Sequence, residues 1–440
     1  MEAQPMAEAP ATLLRGVQLL EGPGLDPRRA DVRIEAGRLA SLADASPEAV
    51  TAPGLRIINA ERCWLAPPLV DPHSVLEDPL QGRSETLSSL ASAAAAGGYG
   101  TVALLPWGTP WRDRPAALNL DWPEPLRLHC WGSFSRDGAD QELADHDDQL
   151  RSGALGLAGG PQLPPLALLE RGLRLAEMGD RPVLLSPRDP SLSQQGFVRE
   201  RVEALRAGWP VDPAISETLP LDTLLALSEA LPWAELRLMN LSTAEAVRRL
   251  KGLERPPAAS VCWWHLLADS GRLDPTSTGW RLEPSLGGPG DREALISAVE
   301  SGLIGAVAVH HQALDAEEML LSLEQRRAGV AGHGLAQASG YAGVLASLWH
   351  ELVQRRGWPP QRLWQRLCWG PADFLGLEPE RLEIGSRRWI LFDPTAQPLL
   401  ASPNSLAANH PAPPAGAEGA IIASGLRGTA GWWAPEDPSS

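Results

Sequence analysis

Hydrophobic and polar positions change their period twice along the chain. The opening segment carries short alternating runs, Thr12–Leu19, Ala30–Ile34 and Arg38–Leu42, with Glu35-Ala36-Gly37-Arg38 as a hairpin turn. A period of two marks half-buried strands, so this segment is predicted to be a small β module. From Leu69 the pattern becomes apolar strands preceded by helical stretches. The helix Leu87–Ala96 leads to the strand Thr101–Leu105, Leu166–Met178 to Pro182–Leu185, and Leu221–Leu231 to Glu235–Met239. Thr243–Leu250 then leads to Ser260–Trp264, and Arg292–Glu300 to Ala306–Val309. Strands alternating with helices of this length imply βαβ units, a parallel sheet and, with this many units, a (β/α)8 barrel. After Phe374 strand-like pieces return, Trp389–Phe392 and Ala420–Ala423, between Pro-rich loops. They are predicted to complete the β module, with residues 411–419 a loop and 434–440 a frayed tail. The chain shows no internal repeat.

Composition narrows the class of protein. With 44% hydrophobic and 21% charged residues in 440, a sizeable packed core is expected and wholesale disorder is excluded. A formal charge of −16 argues against a nucleic-acid backbone or an anionic membrane surface as the main partner. Met1 to Pro10 is acidic and lacks the layout of a signal peptide, and a bilayer-spanning apolar run is missing, so a cytoplasmic location is expected. Cys63, Cys130, Cys262 and Cys368 are far apart and form no CxxC pair, which reads as four buried thiols. Trp is common, 17 against four Phe and two Tyr, and is read as having taken over core packing, with a ligand platform as the other reading. Lys251 is the single lysine and falls on a predicted helix.

Several stretches carry a family likeness. Leu69-Val70-Asp71-Pro72-His73-Ser74-Val75 follows Trp64-Leu65-Ala66-Pro67-Pro68, and Ala93-Ala94-Ala95-Ala96-Gly97-Gly98-Tyr99 precedes a strand ending Leu105-Pro106. Asn240-Leu241-Ser242-Thr243-Ala244, Asp291-Arg292-Glu293-Ala294-Leu295 and Ile304-Gly305-Ala306-Val307-Ala308-Val309-His310-His311 follow in order. Glu383-Ile384-Gly385 before Leu391-Phe392-Asp393-Pro394 ends the series. In these stretches the chain resembles the dihydroorotases, cyclic amidohydrolases of the amidohydrolase superfamily. The resemblance implies an α/β fold: a (β/α)8 TIM-like barrel over residues 67–376, with a small β-sandwich built from 1–66 and 377–440. It also implies pyrimidine biosynthesis, where dihydroorotases interconvert carbamoyl aspartate and dihydroorotate, using zinc to make hydroxide and polarise the ring carbonyl.

Such a site needs several imidazoles and carboxylates at strand ends, with one position open to water. The family's His-x-His pair on the first barrel strand is His73 and Val75 here. Its bridging lysine or aspartate has no counterpart between Gly153 and Pro161, and its next two histidines fall on Ser186 and Asn240. The aspartate that serves as general base corresponds to His310. Substrate positions change in parallel: the arginine that grips the substrate carboxylate becomes Glu77, an asparagine becomes Trp107, and two more fall near Glu283 and Gly287.

Two readings of His73, His310 and His311 stay open. Either the three imidazoles converge at the barrel mouth on a divalent ion, zinc in the family, or they are relics held by hydrogen bonds. Asp71 is read either as a carboxylate orienting His73 or as a turn residue, Trp107 as a plug for the vacated cavity, His265 as structural, and Asp189 as a surface partner of Arg188. His129, His146, His333, His350 and His410 are assigned no role. The expectation is a catalytically inactive relative that needs no cofactor. Its expected role is as a scaffold or regulatory partner, with aspartate carbamoyltransferase or a second copy of itself. An active cyclic amidohydrolase with a rebuilt metal site is the alternative, and a metal-free small-molecule sensor a third.

Overall fold

In the computed structural model the alternating runs near the start do become strands: β1 (Thr12–Leu19), β2 (Arg28–Glu35) and β3 (Arg38–Asp44). Ala36 and Gly37 sit between β2 and β3 at φ 46° and 73°, the two positive values that a tight hairpin turn requires. Short β4 (Arg56–Asn59) and β5 (Trp64–Ala66) lie parallel to β1. The residues described are 11–46, 54–194, 196–272, 282–322, 325, 340–397, 406–409, 416–428 and 431–434.

Parallel strands follow. They are β6 (Leu69–Ser74), β7 (Tyr99–Leu104), β8 (Arg127–Cys130), β9 (Gly132–Ser133), β10 (Leu157–Ala158) and β11 (Val183–Leu185). The small pair β12 (Val198–Arg199) and β13 (Val211–Asp212) precedes β14 (Leu236–Leu238), β15 (Ala258–Cys262) and β16 (Ala306–Ala308). Ladders join β6-β7-β8 and β9-β10-β11-β14-β15-β16 in chain order. Only Trp131 separates β8 from β9, and the hydrogen bonds of Trp131 to Leu104 and of Gly132 to Gly156 carry one strand from the first group to the second. Between β16 and β6 there is no ladder among the described residues. Three hydrogen bonds from backbone amides cross that seam instead: Val75 N–H to His311 carbonyl at 2.8 Å, His311 N–H to Ser74 Oγ at 2.8 Å, and Val309 N–H to Asp71 Oδ1 at 3.0 Å.

The last strands, β17 (Ile390–Asp393), β18 (Ala420–Ser424) and β19 (Trp432–Trp433), return to the opening module. β17 pairs antiparallel with β5 and with β18. Hydrogen bonds therefore link both ends of the chain into one eight-stranded sheet rather than two separate ladders. Register shifts in β1–β2, β2–β3 and β17–β18 coil this sheet around its own core of Leu14, Val17, Val32, Leu65, Trp389 and Leu391. A second, larger core runs through the parallel strands and their helices, with Trp131, Trp263 and Trp364 fully buried in it.

Among the boundaries that differ from the sequence reading, two have a clear local reason. The helix expected to start at Leu221 begins at Ile215 and runs through Pro220. A proline lacks the N–H that would meet the carbonyl four residues earlier, and here the freed Ser216 carbonyl is taken by the Asp189 N–H at 2.8 Å. The strand expected over Ser260–Trp264 stops at Cys262, because Trp263–Leu266 turn into a tight helical segment that buries both indoles.

Candidate functional site

Every residue of β6 is buried, so its polar members must find partners inside the fold. His73 meets His310, which follows β16, with Nδ1 to Nδ1 at 3.1 Å, and its Nε2 meets Ser260 Oγ of β15 at 2.8 Å. Ser260 Oγ also accepts from the Asn240 amide at 3.0 Å and reaches the Leu238 carbonyl at 3.3 Å. The single hydroxyl proton serves either the Leu238 carbonyl at 3.3 Å or His73 Nε2 at 2.8 Å, and that choice sets the tautomers of both rings. In the first case His73 donates from Nε2 to Ser260 and accepts at Nδ1 from His310; in the second both directions reverse. Both rings are then neutral, and burial pushes both down: His73 well below its ordinary value, with His310 adding to the effect, and His310 to about 3.

His310 has φ 48°, in the left-handed region, and packs edge-on to Trp107 with ring centres 5.8 Å apart. The Trp107 indole N–H donates to the Gly159 carbonyl at 2.9 Å, which fixes the ring over the mouth of the strands. Ser186, Arg188, Asn240 and Glu283 line the remaining cleft, and Arg188 pairs with Glu283 across it at 3.1 Å. The space left is about 10 Å³, room for a single water molecule at most. Asn240, at φ 50°, is 4% exposed, and neither side-chain amide atom has a hydrogen-bond partner among the described residues.

Of the sequence-predicted site residues, the structure brings together His73, His310 and Trp107. His311 faces elsewhere: its Nε2 meets Glu85 Oε2 at 3.0 Å and its ring lies against Tyr341. Glu77 is exposed and is not a wall of the cleft, although its carbonyl receives the Thr109 amide. Asp71 takes neither of the roles read for it. Its carboxylate accepts from Tyr341 Oη at 2.7 Å, from the Ser74 hydroxyl and from the Val309 amide, and burial pushes it up to about 6 against those bonds. Arg188 pairs with Glu283 instead of Asp189, which caps the short helix Pro190–Ser193. His265 is buried, bonded to the Pro284 carbonyl at 3.1 Å and pushed down to about 4 by burial. His333 and His410 lie outside the described residues. Ser260 is the partner that sequence reasoning missed; its one signal was a hydroxyl in the otherwise apolar run Ala258-Ala259-Ser260-Val261-Cys262.

A catalytic zinc centre takes three side-chain ligands and keeps one position open. The two Nδ1 atoms could be shared by one ion, since two nitrogens at about 2.0–2.1 Å from zinc in tetrahedral geometry stand roughly 3.3 Å apart. The groups next to them are Ser260 and Asn240, which are not ordinary zinc ligands. Among the described residues no group of three or more His, Cys, Asp or Glu is arranged to hold a metal ion. The described residues thus supply two of the three side-chain ligands of an ordinary zinc hydrolase centre.

No family model matches the sequence. The chain is 33% identical over 377 residues to a probable dihydroorotase-like protein of Synechocystis, covering 77% of this chain and 82% of that one. It is 26% identical over 396 residues to a dihydroorotase-like protein of Pseudomonas aeruginosa, covering 88% and 90%, and 28% identical over 340 to a dihydroorotase of Syntrophobacter fumaroxidans, covering 75% of each. A D-hydantoinase structure superposes with a TM-score of 0.71 at 17% identity, over 94% of this chain and 93% of that one. The dihydropyrimidinase of Brevibacillus agri gives 0.69 at 17% identity, with the same coverage.

Proposed function

The chain belongs to the dihydroorotase-like cyclic amidohydrolases of the amidohydrolase superfamily, and from that premise we propose that it is a non-hydrolysing member. In this reading it keeps the barrel as a scaffold or regulatory partner in pyrimidine biosynthesis. One observation carries it: the two imidazoles that stand at metal-ligand and general-base positions satisfy each other at 3.1 Å. Ser260 takes the remaining His73 nitrogen, and Trp107 closes the entrance. A general base must be free to take a proton near neutral pH, and His310 is pushed down to about 3 by burial. A substrate carboxylate would meet no unpaired guanidinium in the cleft, since Arg188 holds Glu283.

The partner we propose is aspartate carbamoyltransferase, on the resemblance stated above, with self-association as the other arrangement. The two chain ends, 1–66 and 377–440, form one unit of that scaffold and 67–376 the other. Among the described residues no helix is long and apolar enough to cross a membrane, and we place the scaffold in the cytoplasm.

A second reading rests on the same 3.1 Å separation, which suits two ligands of one metal as well as one hydrogen bond. Elemental analysis of the purified chain, run beside dihydroorotate turnover with added zinc, separates the two. The expected result is metal well below one per chain, no turnover, and co-purification with the transferase. Stoichiometric metal with turnover that disappears in His310→Ala would overturn the proposal and establish a rebuilt hydrolase.

A further inference from the structure

At the other end of the parallel strands from His73 lies a surface cleft of about 340 Å³ in which arginines gather. Arg38 comes from the start of β3, Arg127 from the start of β8, and Arg387 from the segment leading into β17. Arg127 sits in register with Thr101, near the beginning of β7, whereas Ser74 and Leu104 mark the opposite ends. The cleft is therefore separate from the cleft around His310, and it joins the coiled sheet to the barrel.

Each of these three guanidinia makes a single hydrogen bond among the described residues. Arg38 donates to the Gly385 carbonyl at 2.9 Å, Arg127 to Glu380 at 3.5 Å, and Arg387 to the Gly428 carbonyl. Arg387 Nε is buried with no partner among the described residues. Arg388, also in the wall, is held by Glu380 and cancels its charge. Glu124 is the acid that lines the cleft, so three arginines against one glutamate leave a local excess of two positive charges in a chain of net charge −16. The surroundings register that field: His129 is pushed down by burial first and then by Arg127 and Arg388, and Arg387 by burial and then by Arg38.

We propose that this cleft binds a small free dianion of the phosphoryl class, held by Arg38, Arg127 and Arg387. The planar forks of arginine match the oxygens of such a group, and concave sites of this size hold small ligands. A nucleic-acid backbone offers the same phosphate chemistry. The overall charge of −16 opposes a long polyanion, so the free molecule is the source the structure favours.

Calorimetric titration with inorganic pyrophosphate, against sodium chloride at matched ionic strength, tests it. The expected result is saturable binding at one per chain. It should weaken by at least ~10-fold in the double variant Arg38→Gln/Arg127→Gln, which removes two charge-assisted contacts. Both side chains are exposed, and an unchanged melting temperature without pyrophosphate would show that the variant folds. Glu124→Gln should act in the opposite direction and tighten binding several-fold. Heats equal to those of chloride, affinity unchanged in the double variant, or a short duplex DNA binding more tightly than pyrophosphate would each overturn the proposal.

Discussion

Two imidazoles with Nδ1 atoms 3.1 Å apart cannot both carry a proton at low cost, and here burial enforces their neutrality. His310 is pushed from 6.5 to about 3, His265 to about 4, and His73 well below its ordinary value. Because these values lie below those of the unfolded chain, the native state binds fewer protons. The stability tied to the three rings is fully present above pH ~6.5 and is lost as pH falls toward ~3. Asp71 works in the other direction. Pushed from 3.8 to about 6, its contribution is full below pH 3.8 and is lost as pH rises through 6. Three rings outweigh one carboxylate, so the urea-unfolding free energy should fall between pH 6.5 and 4.5. His310→Gln, which cannot titrate, should remove up to ~1.4 kcal/mol per pH unit from that slope. An identical slope in the variant would show that His310 is not the buried neutral ring described. At this scale the sequence disclosed His73 and His310, because family position pointed at both. It could not disclose that His311 turns to Glu85 or that Ser260 closes the network. Those facts depend on a left-handed φ at His310 and on where β15 brings its Ser260 hydroxyl against β6, neither of which leaves a mark in the sequence.

Helices and strands were legible wherever their period was long and their ends were capped locally. Leu87–Ala96 is one such case, opened by a capping box of Thr86 and Ser89. Ile215–Ala230 was not, since tolerance of Pro220 depends on a distant donor, the Asp189 amide. Attachment of the coiled sheet to the parallel strands was equally hidden, and there one arginine adds polar contacts to the packing of Ile390, Phe392 and Ile421. Arg388, 7% exposed, bonds Glu380, the Gly100 carbonyl at 3.0 Å and Thr101 Oγ1 at 2.8 Å, joining the approach to β17 with the start of β7. Arg388→Ala would leave the buried Glu380 carboxylate with only the Thr101 hydroxyl at 3.0 Å and the outlying Arg127, and should cost about 3–5 kcal/mol in urea denaturation. Adding Glu380→Gln should recover part of that loss, because the unpaired charge goes with it. A single-variant loss below about 1 kcal/mol would mean that the two parts are held by packing alone.

Taken as one molecule, the parallel strands have a seam where first meets last, and in this chain the seam is fastened by the protein itself. Asp71 receives Val309 and Tyr341, Ser74 receives His311, and Val75 reaches the His311 carbonyl. The same strand ends carry His73 and His310, whose Nδ1 atoms lie 3.1 Å apart. A fold whose native state binds a metal that the unfolded chain does not must lose stability when the metal is removed, by RT ln(1 + [L]/Kd). If the seam needs no metal, that linkage is absent. The melting temperature of the full chain should therefore be the same with and without EDTA, to within about 1 °C, and added zinc should not raise it. The comparison is sensitive, because in a chain of this size even ~1 kcal/mol of lost binding energy moves the midpoint by roughly 2 °C or less and ~4 kcal/mol by several degrees. A drop of several degrees in EDTA, restored by zinc, would show that an ion bridges His73 and His310 and would return the hydrolase reading to first place.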